Sequence, residues 1–216
     1  MDLTPYIVPY EEVHYVTAQT TIQDAYEQIQ ELGYRALPII GRGQGRSLYR
    51  GTVYRSHLKE ALLKGHEPSE PVIAYLRNAT KFINLDSSFY QVLFALGDRP
   101  YIAVLNDEHE FAGLLTHGDF ERLTYQAWAL DQSSYFITVK VPLQGRGKLA
   151  KALQIISRHA SINSVMSQND LTNRQYAYLT FALDEACTYR SIQRLRRNLE
   201  RRHFPVIEIH DTKNLL

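Results

Sequence analysis

The chain reads as an α/β (α+β) protein: two βαββα units in tandem, then a βαββαβ unit. Three observations predict this. First, ELGYRALPII (31–40) and YRGTVYRSHL (49–58) recur as ALGDRPYIAV (95–104) and FAGLLTHGDF (111–120). An offset of about 60 residues is that of a duplicated supersecondary unit. Second, from Tyr135 the hydrophobic period alternates between 2 and helical. Third, residues 1–130 carry 11 Lys+Arg against 16 Asp+Glu, and residues 131–216 carry 13 against 7. The two parts therefore have different surfaces.

Residues 1–15, rich in Pro and Tyr, form a lead-in, an irregular segment or short strand packed on the first unit. Thr20 or Thr21 then starts a helix, with Asp24 supplying early negative charge and Ile22, Ala25, Ile29 and Leu32 on one face. Gly33 ends it. Arg35 to Ile40 is a strand, the Gly-rich residues 41–46 a turn, and Leu48 to Tyr54 a second strand. A helix follows from about Ser56 to Lys64. Pro68 and Pro71 exclude a regular helix between Gly65 and Ala79. The order then recurs: strand Lys81 to Leu85, helix capped by Ser87 or Ser88 through Leu96, strand Arg99 to Leu105, turn 106–110, strand Phe111 to Leu115, helix His117 to about Leu130. The repeats are 1–66 and 67–131.

DQSS (131–134) marks a boundary. Tyr135 to Pro142 alternates as a strand, with Ile137, Val139, Val141 and Leu143 on one face and Phe136, Thr138, Lys140 and Pro142 on the other. A helix carries Leu149, Leu153 and Ile156. Strands follow at 161–167 and 175–183, where Tyr176, Tyr178, Thr180 and Phe181 have high strand propensity. Thr188 to Arg201 is a basic helix with Arg190, Arg194, Arg197 and Arg201 on one stripe and Ile192, Leu195 and Leu199 on another. Such a helix packs on a sheet with a solvated basic face. A last strand spans Phe204 to Ile209. The order is a split βαβ arrangement.

The chemistry concentrates in FAGLLTHGD (111–119). Gly113 in an apolar strand suits a close approach of another backbone. Thr116 and Asp119 stand at the spacing that sets a hydroxyl beside a carboxylate at a helix start. Such a pair caps its own helix, and it also suits the two hydroxyls of a ribose. Antiparallel pairing brings the start of each hairpin's first strand beside the end of its second. Arg99, its counterpart Arg35, Arg55 and His117 are thereby candidates for anionic oxygens near helix N-termini. Arg42 and Arg46 lie at the opposite end, and GRGQGRS lacks the Lys-Ser/Thr ending of a phosphate loop.

The repeat with its Gly-x-x-Thr-x-x-Asp pattern at Gly113, Thr116 and Asp119 resembles a tandem CBS domain pair over residues 1–130. That resemblance implies an adenine nucleotide bound in a cleft, its ribose held by Thr116 and Asp119. The first copy has Tyr54 and His57 at those positions, so one working cleft per pair is expected. Phe82, Ile83 and Tyr101 are candidate walls. Residues 133–210 resemble an ACT domain, on the Gly-x-Leu at Gly147 to Leu149 in PLQGRGKLAKAL. Where that family commonly has an acidic residue, the position here is Gln144 or Arg146. A CBS pair joined to an ACT-like domain resembles small bacterial proteins that bind the second messenger cyclic di-AMP. The resemblance implies a symmetric homodimer signalling to a regulatory protein partner. AMP, ADP and ATP present the same adenosine and compete as ligands, and a DNA-associated regulator using the basic helix is the rival class.

Other classes lack their signatures. The eight histidines and single cysteine show no His-x-x-x-His or Cys-x-x-Cys spacing, so no metal is expected. No nucleophile elbow, Walker or zincin motif occurs, so no catalytic residue, enzyme activity or cofactor is expected. No apolar run approaches the roughly 20 residues of a membrane span. MDLTPYIVPYEEV has no basic n-region, and one cysteine leaves no intramolecular disulfide, so a cytoplasmic protein without a signal peptide is expected. Nucleic acid is the less favoured partner, because the basic helix lacks interleaved aromatics.

Overall fold

Several helix starts in this chain are set by hydroxyl caps. The computed structural model describes residues 2–43, 45–144 and 146–212. Thr21 accepts from the Asp24 amide at 3.1 Å and opens α1 (Ile22–Glu31). Ser88 and Gln91 form a reciprocal capping box that opens α3 (Phe89–Leu96). Each such cap satisfies amides that the helix itself leaves without partners, worth about 1 kcal/mol. The chain divides into two compact units, residues 1–122 and 123–216, and the division falls within α4 (His117–Ala127).

In the first unit, β2 (Ala36–Gly43) and β3 (Arg46–Tyr54) form an antiparallel hairpin. The strands run further than the sequence suggests. Gly41 to Gly43 pair with Leu48 to Arg46, so the expected six-residue turn shrinks to its tip. The physical reason is that glycine disfavours a strand without forbidding one, and the ladder overrides it. Gln44, in that turn, lies outside the described residues. α2 (Arg55–Leu63) follows. The second repeat gives β4 (Phe82–Asn84), α3, β5 (Tyr101–Leu105), β6 (Phe111–Thr116) and α4. Strand β1 (Val8–Pro9) adds to this second sheet, whose order is β1-β6-β5-β4.

The lead-in segments cross over. Val8 and Pro9, near the start of the first repeat, pair antiparallel with Leu114 and Gly113 of the second. Arg77, near the start of the second repeat, bridges Thr52 of the first, with N–O distances of 2.7 and 2.8 Å. Both crossings pass over a glycine. A Cβ on Gly113 would overlap the Val8 carbonyl oxygen, and one on Gly51 would lie 2.7 Å from the Arg77 carbonyl oxygen. One core cluster belongs to the first repeat, around Ile22, Ile29, Ile39 and Leu58. Another joins the repeats through Val13, Ala36, Ile40, Tyr101 and Leu114.

The second unit has β7 (Ser133–Pro142), α5 (Lys148–Ile156), β8 (Ile162–Asn169), β9 (Tyr176–Asp184), α6 (Tyr189–Glu200) and β10 (Val206–Asp211). The sheet order is β10-β7-β9-β8, with every neighbouring pair antiparallel. This is the ferredoxin-like order. Ile137, Val139 and Val141 face the helices and are buried with Ile192, Leu195 and Leu199, each side chain worth about 1.5–3 kcal/mol. Leu143, expected on the same face, lies beyond the strand and is exposed. Gly147 opens α5 with φ +79°; its neighbour Gly145 lies outside the described residues.

The loop between β8 and β9 is tied by one carboxylate. Asp170, 3% exposed, accepts from the Thr172 amide and hydroxyl, the Asn173 amide, the Tyr178 hydroxyl and Lys140 Nζ. These donors, Thr172 and Lys140 foremost, hold its pKa well below the ordinary 3.8. The stability it contributes is complete above that value and is lost as pH falls below it. We therefore expect the urea midpoint of the second unit to drop below about pH 4 in wild type, and to drop less steeply in Asp170→Asn. Parallel acid limbs in the two proteins would contradict this account.

Candidate functional site

The site is built where β6 runs into α4. Thr116 ends the strand and caps the helix. Its amide and hydroxyl donate to Asp119 Oδ2 at 3.0 and 2.6 Å, and the Asp119 amide returns a bond to Thr116 Oγ1 at 3.3 Å. Arg122 donates to the other carboxylate oxygen at 2.6 Å. Asp119 is 8% exposed. Oδ1 and the Thr116 hydroxyl each retain one acceptor position after these bonds. Two ribose hydroxyls need two acceptors.

Thr116 lies on a cavity of about 350 Å³. The crossing lead-in contributes Val8, Glu12, Val13 and His14, the start of β2 and the turn before it contribute Gly33 to Pro38, and Pro100, Tyr101 and Leu114 complete the wall. Arg35 also lines it and is exposed, so its guanidinium can answer a phosphate at the mouth. The volume lies at the small end of the range for small-molecule sites. Asp119 itself does not line the cavity; it works through the Thr116 hydroxyl.

The remaining sequence candidates are placed elsewhere. Phe82, Ile83 and Arg99 line a second cavity of about 550 Å³ with Tyr90 and Phe94 of α3. The reason is strand order: β5 lies between β4 and β6, so Phe82 stands two strands, about 9.6 Å, from Thr116. Arg99 turns back to bond the Ala95 carbonyl near the end of α3 at 2.8 Å, while its Nε is buried with no partner. His117 bonds the Arg99 carbonyl through Nε2 at 2.8 Å. Arg55 pairs its amide with the Arg35 carbonyl and lines neither cavity. The four cationic candidates therefore do not converge, and Arg35 alone of them meets the Thr116 cavity.

In the first copy, phenols occupy the corresponding place. Tyr101 donates to Thr52 Oγ1 at 3.2 Å, Thr52 meets Tyr49 at 2.9 Å, and Tyr49 donates to the Asn78 carbonyl at 3.3 Å. The Asn78 amide closes the chain on Tyr54 at 2.7 Å. Burial pushes Tyr49 up to about 12 and Tyr101 well above the ordinary phenol value, so both stay protonated as donors. His57, at the position of Asp119, offers no carboxylate. Sequence reasoning missed the lead-in residues Val8, Val13 and His14, because only the crossing brings them to Thr116. Among the described residues no group of three His, Cys, Asp or Glu side chains is placed to hold a metal. No helix of the described residues is long and apolar enough to cross a membrane.

Comparison with known proteins bears on the fold. Residues 7–64 match the family model of the CBS domain. No curated protein matches the chain. Among solved structures, CbpB in complex with c-di-AMP matches at 18% identity and TM-score 0.50, over 57% of this chain and 84% of that one. A hypothetical conserved protein from Geobacillus kaustophilus matches at 21% identity and TM-score 0.50, over 58% and 98%. A CBS domain pair/ACT domain protein from Thermotoga maritima matches at 14% identity and TM-score 0.49, over 59% and 98%. Residues 7–64 are a CBS domain, and with its second copy of the same element order the first unit has the fold of a CBS domain pair.

Proposed function

We propose that this protein is a non-catalytic sensor of adenine nucleotides, cyclic di-AMP foremost. The nucleotide occupies the Thr116 cavity, and the second, ACT-like unit relays the bound state to a regulatory protein partner. The observation that carries this reading is the Thr116–Asp119 pair at an apolar cavity. The Thr116 hydroxyl, held by Asp119 from behind, offers its remaining acceptor position to the cavity, and Arg35 stands at the same wall. An adenine ring suits the Val8, Val13, Pro38 and Leu114 surfaces, its ribose suits the Thr116 hydroxyl, and its phosphate suits Arg35. A protein of the same fold is described in complex with c-di-AMP, which supports the choice of ligand. AMP is the second reading, favoured by volume: about 350 Å³ holds one adenosine more readily than two, so cyclic di-AMP would place its second half outside this cavity.

A symmetric homodimer belongs to the same proposal. Tyr90, Leu93 and Phe94 of α3 are 69%, 42% and 81% exposed. A contiguous apolar face of this kind is suited to a second copy.

Calorimetric titration with cyclic di-AMP, AMP, ADP, ATP and cyclic di-GMP, with light scattering on the same samples, tests both statements. The expected result is saturable binding of an adenine nucleotide at one site per chain, recovery of the ligand intact, and the mass of a dimer. Absence of heat with every adenine nucleotide would overturn the sensor reading.

A further inference from the structure

The second unit concentrates its positive charge on α6. Arg194 and Arg197 of that helix and Arg201 at its C-cap line a cavity of about 580 Å³ with His159, Asn198 and Glu200. All three guanidinia are exposed, and among the described residues none of them takes part in an ion pair. Glu200, the one carboxylate at the cavity among the described residues, is engaged by Arg196 at 2.9 Å. Like charges at helical spacing destabilise a helix by a few tenths of a kcal/mol per pair. Without a counter-ion the group is an electrostatic cost.

The side chains are also organised. Arg201 Nη2 donates to Asn198 Oδ1 at 2.5 Å, and the Asn198 amide meets His159 Nε2 at 2.7 Å. In the neutral imidazole Nε2 then accepts, so the proton sits on Nδ1 as a further donor. The Nε groups of Arg197 and Arg201 are spent on helix carbonyls, at 3.3 Å each. That fixes the guanidinium stems and leaves most terminal N–H donors for a ligand. Among the described residues the lining holds no apolar side chain, and its one ring is the His159 imidazole.

We propose that this cavity is a second ligand site, one that takes the phosphates of a small, multiply phosphorylated molecule. Planar guanidinium forks match phosphate oxygens two at a time, and several forks around one concavity ask for several adjacent negative charges. An extended nucleic-acid backbone is the less suitable occupant. It would follow the exposed arginine stripe through Arg190, whereas the cavity recruits His159 and Asn198 from off that stripe.

The test titrates the full-length chain with inorganic pyrophosphate and tripolyphosphate at near-physiological salt, with sulfate as comparator. Wild type, Arg197→Gln/Arg201→Gln and Arg190→Gln are compared after circular dichroism confirms that each is folded. The expected result is saturable binding of pyrophosphate, tighter than sulfate. The double variant weakens it by roughly a hundredfold, about tenfold per guanidinium lost, and Arg190→Gln changes it by less than about twofold. Three results would overturn the proposal. They are no saturable binding, binding untouched by the double variant, or equal losses in all variants together with salt-dependent binding of duplex DNA.

Discussion

Gly113→Ala should remove about 3 kcal/mol of stability from the first unit and detach the lead-in. The residue sits at φ +157°, and its missing Cβ is the space through which the Val8 carbonyl passes. Strain at that backbone angle and overpacking against a carbonyl each cost about 1–3 kcal/mol. A carbonyl cannot swing aside as a side-chain tip can. β1 contributes only two paired residues, so displacing Val8 ends the pairing, and Val8 is a wall of the Thr116 cavity. Ligand affinity should fall along with stability. Gly51→Ala should behave similarly, because the Arg77 carbonyl occupies the same relation there. Two controls separate the causes. Gly33→Ala, at φ +68° with no neighbour within 4 Å, should cost about 1 kcal/mol through backbone angle alone. Gly43→Ala, with neither positive φ nor neighbour, should cost nothing measurable. Urea unfolding of the four variants decides it: a Gly113→Ala protein as stable as Gly43→Ala would show that the lead-in does not cross as described.

Asp119→Ala should weaken adenine-nucleotide binding by about 1.5–3 kcal/mol, the range for a hydrogen bond to a charged group. That is a loss of roughly ten- to a hundredfold. The substitution releases the Thr116 hydroxyl, which Asp119 holds at 2.6 Å and which faces the cavity. It costs about 1 kcal/mol of stability as well, since the pair caps α4. Asp119→Asn separates these roles, keeping a capping oxygen while losing the charge. Its affinity should lie between wild type and Asp119→Ala, with most of the stability retained. Thr116→Val should lose affinity comparably, and Thr116→Ser should retain it. Unchanged affinity in Asp119→Ala, in a protein that still binds nucleotide, would remove the pair from the site.

Much of this architecture is legible one residue at a time. Thr21 and Ser88 announce their helices because a hydroxyl at the N-cap answers amides three residues on. The alternation at Ile137, Val139 and Val141 gives the buried face of β7 because side chains in a strand point to opposite faces. Gly113 signals a backbone crossing, and Thr116 with Asp119 signals a capped helix start suited to a ribose. Asp170 is equally readable, since Asp-Leu-Thr-Asn is a sequence in which a carboxylate gathers the next amides.

The candidate cavity was only partly legible. Arg35 follows from hairpin geometry, and Tyr101 from the resemblance to a CBS pair. Phe82 does not belong with them, because pairing put β4 on the far side of β5. Their positions beside the strand ends make His117 and Arg99 candidates for anionic oxygens, but in the fold His117 bonds a backbone carbonyl and Arg99 turns back onto the preceding helix.

The sequence by itself determined the elements, their order, the duplication, the caps and the buried stripes. These rest on local rules, in which a side chain answers the backbone or periodicity within a few residues. Only the tertiary structure decided which lead-in crosses to which repeat, which residues wall the Thr116 cavity, that phenols close the first copy, and that His159 joins the arginines of α6. Each of those depends on contacts between residues far apart in the chain, whose formation follows from the packing of whole elements. No local pattern records which distant segment will arrive.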